Sequence, residues 1–90
     1  MPESYPTTIS TPPTTVANHT VLAWMETPRR AGEYPGGIVL AHSGGEYQPY
    51  VTWVAYTKDG GLTWDACWGH YYLEEQRKAA WDDFYSRAHI

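Results

Sequence analysis

The chain has 90 residues with five Trp and eight Tyr, a length that suits one domain whose aromatic rings make up for the small core so short a chain can bury. Its formal charge is −4, with six Lys or Arg and no basic cluster beyond Arg29-Arg30, which excludes a protein that grips nucleic-acid backbone by neutralising phosphates. The single cysteine, Cys67, excludes an internal disulfide framework and suits a reducing, cytoplasmic setting, while no apolar run nears the roughly 20 residues of a membrane helix and the N-terminus lacks the basic start and apolar core of a secretory signal.

In chain order, residues 1–18 come first, rich in Thr, Pro and Ser: Thr7-Thr8-Ile9-Ser10-Thr11-Pro12-Pro13-Thr14-Thr15. Such a stretch has little to bury and reads as a flexible tail, or else as an extended arm draped along the fold or a neighbouring subunit, leaving 19–90 as the folded domain. His19-Thr20-Val21-Leu22-Ala23-Trp24-Met25 is the first strand candidate. Glu26 to Gly37 holds two prolines and three glycines, so it reads as a long connection. Long loops in compact domains often carry function, which makes Arg29 and Arg30, with Tyr34, a candidate contact patch. Ile38-Val39-Leu40-Ala41-His42 is continuously apolar up to its histidine, the pattern of a strand buried on both faces.

Ser43 to Pro49 turns the chain into Tyr50-Val51-Thr52-Trp53-Val54-Ala55-Tyr56, a strand by its aromatic and β-branched content. Thr57-Lys58-Asp59-Gly60-Gly61-Leu62-Thr63-Trp64 then supplies turn chemistry: Gly60-Gly61 frees the backbone, and Asp59 and Thr57 fold their side chains onto it. A loop of Lys58–Gly61 would pair Thr57 with Leu62, Ala55 with Trp64, Trp53 with Ala66 and Val51 with Trp68. That register sets a large ring against a small or branched side chain on one face. The other face, with Tyr50, Thr52, Val54 and Tyr56, is more polar. Gly69 marks a bulge or a close backbone approach, and His70-Tyr71-Tyr72 ends the strand.

The segment Thr57-x-Asp59-x-Gly61-x-Thr63-Trp64 resembles the Asp-box of sialidases and other β-propellers. The resemblance covers eight residues and implies a structural hairpin rather than an active site. A propeller needs several four-stranded blades, and this chain has room for about one.

From Leu73 the period changes. Leu73, Arg77, Ala80, Trp81, Phe84 and Ala88 form a helical stripe, with Glu74–Lys78 and Asp83–Arg87 as i,i+4 pairs on the other side. A helix over about 73–88 is expected, with Trp81 and Phe84 on the Val51/Trp53/Ala55/Trp64/Trp68 face. The expected fold is therefore α+β: a small antiparallel sheet of three to four strands with one C-terminal helix packed on one face.

Candidate chemistry is sparse. Cys67 and His70 are three residues apart in a strand and so point to opposite faces unless Gly69 bulges. His19, His42, His70 and His89 are dispersed without metal-ligand spacing, and no metal or cofactor is expected. Glu74-Glu75 and Asp82-Asp83 are helix neighbours that do not face each other. Tyr and Trp with Arg are common interface anchors, which singles out Tyr50, Tyr56, Tyr71, Arg29 and Arg30 as protein-binding residues. As a whole the chain resembles small uncharacterised proteins of actinobacterial phages and plasmids, through its Thr/Pro tail, its Trp-rich hairpin, Gly69-His70-Tyr71-Tyr72, and a helix ending Asp83-Phe84-Tyr85-x-Arg87. The expected function is a non-enzymatic, homodimeric protein-binding module that masks or inhibits a host factor, for example a component of a defence system. The alternative is a small enzyme or ligand-binding domain with a site around His42, Asp65, Cys67 and His70.

Overall fold

The computed structural model describes residues 12–27 and 34–88. Five strands form one antiparallel sheet in the order β1-β2-β3-β4-β5: β1 (Thr15–Val16), β2 (His19–Thr27), β3 (Gly36–His42), β4 (Tyr50–Tyr56) and β5 (Asp65–Tyr72). A single 3₁₀ turn, Glu74–Gln76, leads into the helix α1, Arg77–Ala88.

The sheet has five strands where three to four were expected. The extra strand is β1, from the stretch read as tail. Val16 pairs with His19 across a two-residue turn in which Ala17 and Asn18 both have positive φ, 50° and 64°. Two left-handed residues give a hairpin turn whose twist matches that of its strands. Val16 is almost fully buried against the sheet, so one aliphatic side chain anchors this edge.

The sheet is curled. Trp24 on β2 meets Trp64, just before β5, edge to face with ring centroids 5.0 Å apart. In a flat sheet their strands would stand about 14 Å apart. The concave face carries Val39, Ala41, Val51, Trp53 and Ala55, with Val16, Val21, Trp24, Trp64 and Ala66 packed around them. The opposite face carries Ile38, Leu40 and Tyr50, covered by Ala80 and Phe84 of α1, with Trp81, Ala88, Ala23, Val54 and Tyr72 at the margin. β3 lies between both clusters, as its unbroken apolar run implies.

The helix thus forms where its stripe places it, but on the other face. The tryptophan face closes on itself through the curl and the β1 hairpin. The face that looked more polar offers α1 both an apolar floor, Leu40 and Ile38, and partners for its charges. Asp83 and Arg87 both bond Thr52 rather than forming the expected pair. Likewise Glu74 takes His42, and Lys78 takes Asp82 at 2.7 Å.

The β4–β5 register also differs. Tyr56, Ala55 and Val54 pair with Asp65, Ala66 and Cys67, two residues from the expected register. The loop spans residues 57–64 because its side chains close a wider turn. Asp59 accepts the Thr63 amide at 2.9 Å and the Thr63 hydroxyl at 2.6 Å, and Thr57 Oγ1 accepts the Gly61 amide at 2.9 Å. Gly60 and Gly61 have φ of 76° and 108°, conformations a side chain would resist. The hydrogen bonds, first those of the Thr63 hydroxyl and amide and then that of Thr57, hold the Asp59 carboxyl down at about 2.

Candidate protein-binding surface

Beyond Cys67 the pairing of β5 slips by one. Val54 pairs with Cys67, but Thr52 pairs with His70, Val51 with Tyr71 and Tyr50 with Tyr72. Trp68 and Gly69 together oppose Trp53, which makes a β-bulge. The two residues divide the work. Gly69 lies against the Trp53 indole, where an added Cβ would stand 2.7 Å from Trp53 Nε1. Trp68 takes φ of 55° and turns outward, 75 % exposed. The ring expected in the core is therefore the most exposed tryptophan among the described residues. Tyr71, three residues on, is 51 % exposed.

A polar network stands behind the bulge. Arg87 Nη2 donates to the Trp68 carbonyl at 2.8 Å. Its Nη1 donates to the Thr52 carbonyl at 3.0 Å and to Thr52 Oγ1 at 2.9 Å. Thr52 passes the chain on, donating its hydroxyl to Asp83 Oδ2 at 2.6 Å. His70 Nδ1 lies 2.9 Å from the same oxygen. A carboxylate only accepts, so the imidazole is the donor. The Tyr72 phenol is near enough to act on the Asp83 carboxyl as well. Burial pushes the Asp83 carboxyl up, but the bonds from Thr52 and His70, with the Tyr72 phenol, outweigh it and hold the group below its ordinary value. Burial, then the Asp83 carboxylate, raise the Tyr72 phenol.

A second histidine–carboxylate contact ties the start of the helical segment to β3. His42 Nδ1 accepts the Gly44 amide at 3.0 Å, so the neutral ring carries its proton on Nε2, 3.1 Å from Glu74 Oε2.

The residues singled out in the sequence scatter. Tyr50 is 6 % exposed, packed under α1 and against His42, and presents nothing to a partner. Tyr56 is half-buried at the far end of β4 and stacks on Tyr34 with centroids 6.0 Å apart. Of the three tyrosines only Tyr71 stands on an exposed edge. Arg29 and Arg30 lie outside the described residues, as does His89. The alternative site does not assemble: His42 takes Glu74 and His70 takes Asp83. Asp65 is exposed opposite Tyr56. The bulge does bring Cys67 and His70 to the same face, yet Cys67 stands opposite Val54 and the imidazole Nδ1 is committed to Asp83. Among the described residues no three His, Cys, Asp or Glu side chains gather as metal ligands. No helix among them is long and apolar enough to cross a membrane.

No protein-family model matches the chain, and no curated protein or solved structure matches it significantly. The geometry of β5 therefore carries the functional reading. Sequence reasoning missed Trp68 as an exposed residue, and its one signal was the glycine that follows it.

Proposed function

We propose that the chain is a non-enzymatic protein-binding module that anchors a partner on Trp68, with the exposed Tyr71, three residues on, as a second contact. The observation that carries this is the backbone of Trp68. A bulky residue with positive φ is an outlier, and such strain costs about 1–3 kcal/mol. Here it holds an indole in solvent, where the core gains little from it. Bulges re-aim side chains next to functional sites, and tryptophan and tyrosine are enriched among the residues that dominate binding energy.

The sheet could instead recruit a partner by extension, along the part of β2 that the two-residue β1 leaves uncovered or along β5. Both strands are interrupted, β2 between Val21 and Ala23 and β5 at Trp68, and bulges blunt an edge against pairing. Side-chain anchoring is the mode this favours. The partner proposed is a larger protein with an apolar pocket, such as a host factor that is thereby masked; a second copy of the chain is the other partner to test.

The test is selection of binders to the full chain from a displayed random peptide library, with sedimentation velocity over a concentration series for self-association. Trp68→Gly and Tyr71→Ala should each weaken the selected interaction, the former by about 30-fold or more. Binding that survives both substitutions, or no specific binding and no self-association at all, would sink the proposal.

A further inference from the structure

The bulge in β5 is a choice between two registers, and we infer that α1 makes that choice through Arg87 and Asp83. Up to Cys67 the pairs run Tyr56–Asp65, Ala55–Ala66 and Val54–Cys67. Continued unbroken, that register would set Trp53 opposite Trp68, Thr52 opposite Gly69, Val51 opposite His70 and Tyr50 opposite Tyr71. A shift of one residue exchanges the faces of every side chain beyond it. Trp68 would then turn onto the concave face beside Trp53. His70 would leave the helix side, and Tyr71 would turn under α1.

The bulged register is held from the helix side by groups that fit only that register. His70 reaches the Asp83 carboxylate because it lies on the helix face beyond the bulge, a face that Tyr72 shares. Arg87 donates to the carbonyl of Thr52 on β4 and to that of Trp68 on β5. These two carbonyls flank the point where the extra residue breaks the ladder, so the guanidinium fork supplies donors there. From the concave side, the space left by the missing Gly69 side chain receives the Trp53 ring. Against all of these stands the left-handed backbone of Trp68. Docking of α1 is thereby coupled to the display of the indole: with the helix seated the ring stays out, and with Arg87 lost the segment 68–72 is free to revert. Arg87 is a positioning residue for Trp68. The display matters for binding only on the reading proposed above, but the measurements below need no partner, so either can fail alone.

Fluorine NMR of the full chain labelled with 5-fluorotryptophan reads the indole directly, with the Trp68 line assigned by Trp68→Phe. In the wild-type chain that line is expected to be single and to carry the H₂O/D₂O shift of a solvent-exposed ring. In Arg87→Met it should split or lose much of that shift. A folded Arg87→Met whose Trp68 line keeps its position and isotope shift overturns the inference, since an Arg87 that merely stabilised the fold would leave the line unmoved. The milder Arg87→Lys, which removes the planar fork and keeps the charge, covers the case in which Arg87→Met does not fold. Its loss of Tm should be larger in a Trp68→Gly background, where glycine takes the left-handed conformation unaided and no indole gains burial by reverting, so the bulged register stays and the lost bonds are felt in full. An equal loss in both backgrounds overturns the inference.

Discussion

Replacing Trp68 by alanine and, separately, by glycine isolates the backbone strain. Both substitutions remove the indole, so its few contacts cancel in the comparison. In an ordinary strand glycine is the worse of the two by about 0.5–1 kcal/mol, because the unfolded chain has more freedom to lose. At φ of 55° the order should reverse. Alanine in the left-handed region bears a penalty of roughly 1–2 kcal/mol that glycine escapes. Subtracting the entropic handicap of glycine leaves Trp68→Gly more stable than Trp68→Ala by about 0.5–1 kcal/mol. For a domain of this size that is a difference of roughly 3–6 °C in Tm. Thermal and urea unfolding of the two variants, followed by circular dichroism, decide the matter. If Trp68→Ala proves as stable as Trp68→Gly or more so, position 68 does not hold a left-handed backbone, and the case for an anchor displayed under strain goes with it.

Three further outcomes are expected. Phe84→Ala empties a nearly fully buried site between α1 and β3 and should cost about 3–5 kcal/mol, read as a lowered urea midpoint; a loss below ~1 kcal/mol would mean that α1 does not seat there. Gly69→Ala drives a Cβ to 2.7 Å from Trp53 Nε1 and should destabilise by roughly 1–3 kcal/mol, with altered near-ultraviolet dichroism from the displaced indole as the check. Asp59 has a folded-state pKa of about 2 against an ordinary 3.8, so its hydrogen bonds contribute stability that is fully present above the ordinary value and fades as pH falls through about 2. Asp59→Asn should therefore flatten the acid limb of the stability–pH curve between those values; a limb of unchanged slope would remove the closed loop as its cause.

Much of the architecture is readable from local pattern. The unbroken run Ile38–Ala41 announces a strand covered on both sides, and the stripe from Leu73 to Ala88 announces the helix. Alternation also assigns Val51, Trp53, Ala55, Trp64 and Ala66 to one face correctly, even with the loop drawn too tight, because the error of two residues preserves parity. The pattern fails at Trp68. A bulge adds one residue and inverts everything after it, and a tryptophan in an aromatic strand reads as core until something shows it pointing out. Gly69 hints at the bulge but not at which way the neighbouring ring turns. The choice of face for α1 is equally invisible locally, since it depends on Thr52 and His70 meeting Asp83 and Arg87 across the fold. β1 escapes notice because two residues are too few to show a period, and its Thr- and Pro-rich surroundings are those of a tail. The candidate anchors suffer from the same limit: Tyr50 and Tyr71 look alike in composition, and only the slipped register separates the buried ring from the exposed one.

The position of β3 between two aromatic clusters has a practical consequence. Val39, Leu40 and Ala41 are wholly out of contact with solvent, and their strand is flanked by β2 on one side and β4 on the other. No partial opening of a single margin uncovers them, so deuterium should enter their amides only when the entire fold comes apart. One peptide spanning that segment, followed by mass spectrometry in deuterated buffer, is then a gauge of global unfolding free energy. It would serve in crude mixtures and at concentrations too low for optical melting.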